Sequence, residues 1–444
     1  MNTSKLSQRL ALLFIATSVT GCHIESTKSA TVSEPRSNSS TLTSQAQVNA
    51  ETIRFLEDRV KRDPEDFIAC NKLAQQYLQR LRETGDFSYL RLATKAAHDS
   101  LATLPPEQNV GGLAATAQVE FASHDFATAR DNGLKLTHLE PEQGYSWQIL
   151  GDALLELGDY EKAESAYKTM EQFTGVQGLA RSGIEQRLAR VSALHGDLSA
   201  SESHFKKALV LALDTSEPPA EMVAWCQWQL GETQFARGDY ENAEKNFRDA
   251  LQTFPGYFRA LASLGRVRAA RGDLNGAIEN YEHAIRIIPD PSFIAALGDL
   301  YKITGRDSDA ETQYKLVQKI GKLNELNGIL YNRQLSLFYA DHDLETQDAY
   351  TNASREYQVR RDIYGADALA WTALKARRLA EAQKAIGEAL RLGTSDARLF
   401  YHAGMIARAS GDITKARDYL NRALELNPQF DPLQSSLARK ALAQ

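Results

Sequence analysis

Residues 231–255 read GETQFARGDYENAEKNFRDALQTFP, and residues 265–289 read GRVRAARGDLNGAIENYEHAIRIIP. Gly231 recurs as Gly265, Gly238 as Gly272, Ala243 as Ala277, Ala250 as Ala284 and Pro255 as Pro289, each step being 34 residues. A fixed period of this size marks a solenoid of stacked supersecondary units, because one unit cannot bury its own apolar face. The residue types have mechanical readings. Gly238 follows a helical run and is suited to end it in the left-handed conformation. Asp239 then stands at the next helix start, where a carboxylate can accept from free backbone amides. Small Ala243 permits close helix approach, Phe247 fills the space between hairpins, and Pro255 closes the unit.

At these residues the chain resembles the tetratricopeptide repeat family. That motif carries a small residue within the first helix, a glycine near the turn, an alanine in the second helix and a terminal proline. The resemblance implies an all-α, right-handed superhelix of about ten helical hairpins. It covers most of residues 50–428. The unit ending at Pro105 is divergent, and the next, ending at Pro141, has Ala117 in place of the packing glycine. Trp147, Gly151, Gly158, Tyr160, Ala163 and Tyr167 mark a strong third unit. The fourth keeps Gly196 and Phe205 but has Ser201 for alanine, and a Pro-rich insertion at 213–219 precedes the fifth. Seven units occupy 50–322. Residues 323–428 hold divergent and C-terminal units, with clear order again at Gly404, Gly411, Ala416, Ala423 and Pro428, and 429–444 reads as a capping helix and tail.

The N-terminus is a separate matter. Lys5 and Arg9 precede a short apolar run, Leu10 to Val19, which is shorter than the roughly 20 residues a membrane-spanning helix needs. Residues 1–21 therefore read as a signal peptide. Val19-Thr20-Gly21-Cys22 looks like a bacterial lipobox, which implies diacylglycerol on the Cys22 thiol and an acylated amino group. An ordinary signal peptide with an incidental cysteine is the other reading. His23, in place of an aspartate, implies sorting to the outer membrane, facing the periplasm. Residues 22–49 are rich in Ser and Thr and read as a flexible tether.

The formal net charge of −6 over 444 residues shows no basic excess of the kind nucleic-acid binding uses. The nine histidines include no pair at helical metal-site spacing, and no phosphate loop or nucleophile elbow is present. No catalytic residue, metal or cofactor is expected. Asp341-His342-Asp343 with Glu345 lacks the glycine and distal glutamate of a calcium loop and reads as a solvated turn. Cys70 and Cys226, four units apart, read as unpaired buried thiols.

What remains is surface. In tetratricopeptide proteins the first helices line a concave groove that takes partner peptides. Carried over by position, that groove comprises Trp225, Trp228, Glu232 and Phe235, then Arg259 and Arg266, Asp299 and Lys302, Tyr364 and Trp371, and finally Arg398, Tyr401, Met405 and Arg408. Trp, Tyr and Arg are the types that dominate binding hot spots, although repeat tryptophans also pack between hairpins. The reading is a lipid-anchored envelope scaffold with envelope protein partners and a membrane anchor. A polysaccharide- or anion-binding role for Arg355, Arg360, Arg361, Arg377 and Arg378 is the alternative.

Overall fold

The computed structural model describes residues 38–326 and 333–444. Cys22 and the signal sequence lie outside them. The described residues form 22 α-helices and no strand. A lone helix, α1 (Asn38–Arg62), precedes ten hairpins. Units 1 to 3 are α2/α3 (Phe67–Thr84, Ser88–Thr103), α4/α5 (Val110–Ala122, Phe126–Leu139) and α6/α7 (Gly144–Leu157, Tyr160–Gln172). Units 4 to 6 are α8/α9 (Gly178–Leu194, Leu198–Leu213), α10/α11 (Ala220–Ala236, Tyr240–Thr253) and α12/α13 (Phe258–Ala270, Leu274–Ile287). Units 7 and 8 are α14/α15 (Pro291–Ile303, Asp307–Leu326) and α16/α17 (Arg333–Asp341, Thr346–Val359). Units 9 and 10 are α18/α19 (Ile363–Lys375, Leu379–Ala389) and α20/α21 (Ala397–Ala409, Ile413–Leu426), and α22 (Gln434–Leu442) follows. The chain is thus an all-α solenoid.

Local chemistry explains each hairpin. The first-helix glycines exist because a ring or leucine of the second helix lies against them. A Cβ on Gly151 would stand 2.5 Å from Tyr167, on Gly298 2.6 Å from Tyr314, and on Gly404 2.6 Å from Leu420. Gly231 faces Phe247 in the same way, even more closely. The turn glycines are left-handed, with φ of 83° at Gly158, 73° at Gly238 and 85° at Gly272. The aspartates that follow cap the second helices: Asp239 accepts from the Asn242 amide and Asp273 from the Gly276 amide. Cys70 and Cys226 are buried and unpaired.

Two expectations are corrected here. Residues 38–49, read as tether, are helical, because Ile53 and Leu56 of the same helix are buried against unit 1 and α1 extends back from that contact. The acidic turn after α16 is not simply solvated. Asp341 accepts from Trp371 Nε1 at 2.7 Å and Gln434 Nε2 at 2.6 Å, while His342 Nε2 lies 2.8 Å from Asp299. Asp343 and Glu345 do turn in the left-handed region, at φ 52° and 40°.

The solenoid also closes on itself. Call the bend within a unit its turn, and the link to the next unit its joint. The turn of unit 1 meets the joint after unit 6, where Gly85 abuts Ile288. In unit 3 the Leu157 carbonyl accepts from the Arg361 amide at 3.1 Å, and the Tyr160 hydroxyl accepts from the Ile363 amide at 2.8 Å. Beside unit 4, Ser395 Oγ donates to the Gly196 carbonyl at 2.9 Å and Thr394 to that of Leu194. Over unit 5, Asn427 Nδ2 donates to the Phe235 carbonyl at 2.7 Å, and the Tyr240 hydroxyl donates to Asn427 Oδ1 at 2.6 Å. Turn n therefore meets the joint after unit n + 5 in units 1, 3, 4 and 5. The joint that would face unit 2 lies outside the described residues.

Candidate functional site: a charge-paired lumen

Because the superhelix closes, its concave face encloses a lumen. A cavity of about 280 Å³ lies between units 3 to 5 and units 8 to 10. First helices supply Glu156, Arg190, Glu232 and Arg333 to its wall, while the joints supply Arg360, Asp362 and Asp396. Tyr364 from the start of α18 and Ser201 and Phe205 from α9 complete the part used below.

The wall is held by ion pairs that join distant units. Glu156 Oε1 takes Arg190 Nη2 at 2.8 Å, and its other oxygen takes Arg360. Arg333 Nη2 reaches Asp362 at 2.6 Å and Glu356 at 2.9 Å. Burial alone would raise the Glu156 pKa, but Arg360 and Arg190 outweigh it and hold the carboxyl at about 2. Burial raises the Asp396 carboxyl despite its capping bonds to backbone amides. Behind the wall, Arg187 and Asp152 form a fully buried pair at 2.5 Å, and the Tyr167 hydroxyl also donates to Asp152. Two buried donors in residues of the wall, Ser201 Oγ and Arg333 Nε, have no acceptor among the described residues, and neither atom is accessible from the cavity. Tyr364 lines the same cavity and is 39% exposed.

The residues expected in the groove fall into three sets. Trp225, Phe235, Trp371 and Tyr401 are buried between hairpins. Trp225 meets Phe205 edge-on at 5.9 Å, and Trp371 stacks on His402 at 4.3 Å. Their large apolar faces have lower free energy against neighbouring units than in water, so the aromatic surface expected of them is packing here. A second set is exposed in part but already paired. Arg266 bridges Glu232 at 2.5 Å and sits 4.2 Å over the Phe235 ring, and Trp228 Nε1 donates to Ser263 Oγ at 2.9 Å. Arg259 lies 5.5 Å over Trp228. Arg398 meets Asp431 at 3.2 Å, and Arg408 donates to the Ala441 carbonyl at 2.8 Å, closing the end of α22. Lys302 pairs with Asp307 and Asp299 with His342. Only Tyr364 both lines the cavity and keeps a large open surface. In the basic cluster of units 8 and 9, Arg360 pairs with Glu156 and Arg378 with Glu381 at 3.1 Å.

Sequence reasoning missed Glu156, Arg190, Arg333 and Asp362. One signal was available for the lumen charges. The residue after the small packing position reads Asp152, Arg190, Glu232, Arg266 and Asp299 in units 3 to 7. That is a strict alternation of sign along one helical face. The joint residues carried no such signal, since their neighbours lie about 200 residues away in the chain: Arg360 and Glu156 are 204 apart.

Comparison with known proteins agrees with the repeat reading. Two tetratricopeptide repeat family models match, one over residues 183–256 and the other over 115–174, 229–290 and 368–429. Together the matched segments span more than half of the chain. No curated protein matches it in sequence. Among solved structures, PilW, a type IV pilus biogenesis factor, aligns with TM-score 0.40 and 16% identity over 47% of this chain and 91% of its own. A human IFIT1 dimer with PPP-AAAA aligns with TM-score 0.42 and 14% identity over 84% of this chain and 94% of its own. MamA aligns with TM-score 0.31 and 22% identity over 39% of this chain and 95% of its own. With its ten hairpins, packing glycines and matched repeats, the chain belongs to the tetratricopeptide repeat family.

Proposed function

We propose that this chain is a non-catalytic interaction scaffold of the bacterial envelope, held at the outer membrane by lipid on Cys22. It receives a segment of a partner protein at the lumen and serves assembly or export of an envelope component. The observation that carries the binding reading is the cavity on the concave face, with the Tyr364 side chain 39% exposed on its wall. A tyrosine hydroxyl and arginine N–H groups are donors, so an occupant that supplies oxygen acceptors is favoured. A peptide offers such oxygens at every carbonyl and at each carboxylate. The lipobox sequence supports the envelope setting, and repeat membership supports a protein partner.

The test is site-specific photocrosslinking in whole envelopes. A photoreactive residue at position 364 should capture a defined protein. A photoreactive residue at exposed position 417 on α21 should not capture it. Equal capture from 364 and 417 overturns the lumen as the binding site. Cys22→Ser should move the protein from the membrane to the soluble fraction, and retention in the membrane overturns the anchor.

A further inference from the structure

The closure of the superhelix leaves two unequal free edges. Joints after units 6, 8, 9 and 10 are covered by turns of units 1, 3, 4 and 5. The joints of units 2 to 4 are not covered in this way, and they carry exposed apolar side chains. Leu139 is 37% exposed, Phe173 43%, Val176 81% and Leu213 49%. At the covered joints the equivalent ground is shut: Ile288 is 4% exposed, Thr394 3% and Asn427 1%. The turns repeat the contrast. A Cβ on Gly85, Gly158, Gly196 or Gly238 would strike the joint lying over it, or touch it in the case of Gly238. On Gly272, Gly305 and Gly411 it would meet nothing within 4 Å. Ile413 occupies the helix-start position that Tyr160 and Tyr240 use to grip their joints, yet it is 53% exposed.

We propose that the free joint edge of units 2–4 and the free turn edge of units 6–10 dock on each other between two copies, so that the chain associates head to tail. The occupant is a second copy because the contact it would make is one this chain already makes internally, turn upon joint, at four places. The intermolecular contact continues the same interface. On the free turns, Arg377 is exposed and holds a left-handed φ of 61° where most other turns have glycine. A contact between two different patches is heterologous, so it does not close as a twofold dimer and further copies can add. The lumen reading is independent of this one.

The experiment is sedimentation velocity on the full chain carrying Cys22→Ser, from low to high micromolar concentration. The mean mass should rise with concentration. Phe173→Asp with Val176→Asp breaks the joint edge, and Arg377→Glu with Ile413→Asp breaks the turn edge. Each pair should weaken self-association by about tenfold or more. Mixed together, the two variants still own one intact edge each, so they should form a dimer that grows no further. These residues are exposed, and thermal melts should match the parent. A parent chain monomeric at every concentration overturns the proposal, whether the edge is bare or covered by residues 1–37 or another protein. Association unaffected by both variants, or natively folded variants that stay monomeric when mixed, overturns it as well.

Discussion

Glu156 shows how one side chain can tie distant parts of the solenoid together. It lies at the end of α6 in unit 3 and pairs with Arg190 of unit 4 and Arg360 beyond unit 8. Its carboxyl falls from an ordinary 4.5 to about 2 on folding. A lowered folded-state pKa stabilises above the unfolded value and loses that contribution as pH falls through the folded one. The window is therefore pH 4.5 down to 2, and a shift of this size corresponds to about 3 kcal/mol. Burial raises the pKa of Asp290, Asp341, Asp396 and Glu221, and these act with the opposite sign. The clean measurement is a difference: urea melts of parent and Glu156→Gln across that window. The variant should be less stable at pH 7, and its stability should fall less steeply with acid. Parallel curves would show that Glu156 gains nothing from its arginines. That a glutamate occurs here was plain from the sequence, but its partner 204 residues on was not.

At the scale of the element, the turn glycine has two separable roles. Gly158 and Gly272 have nearly the same φ, 83° and 85°, so alanine at either site carries a similar backbone cost of about 1–2 kcal/mol. Only at Gly158 does the added methyl strike the Arg361 carbonyl of the covering joint. Gly158→Ala should thus be more destabilising than Gly272→Ala by about 1–3 kcal/mol, the worth of the joint's hydrogen bonds to Leu157 and Tyr160. Equal losses in denaturant titrations would mean that the closure adds no stability. Hairpin elements were legible because their determinants are local. The packing glycine, the opposing ring, the capping aspartate and the left-handed turn all recur within one unit. α1 was misread in part because Ser and Thr dominate its first half, while the Ile53 and Leu56 contacts that order it lie further along the helix.

For the whole molecule, closure changes how stability spreads. An open solenoid couples each unit only to its neighbours. Here unit 5 also leans on the joint after unit 10 through Asn427, which bonds both the Phe235 carbonyl and the Tyr240 hydroxyl. Asn427→Ala should therefore quicken amide exchange at residues 234–241 by about tenfold, as an opening made easier by about 1.4 kcal/mol would. The turn of unit 7, residues 303–307, has no such cover and should be unchanged. Unaltered exchange at both turns would return the molecule to nearest-neighbour behaviour. The sequence by itself determined the repeat period, the helical hairpins and the residues that pack and cap them, because those interactions act between residues a few positions apart. It also carried the alternating charges of the first helices. Only the tertiary structure decided that the concave face is a closed, ion-paired lumen, and that most aromatics assigned to it lie between hairpins instead. Closure depends on small rotations summed over five units, and no single repeat records that sum.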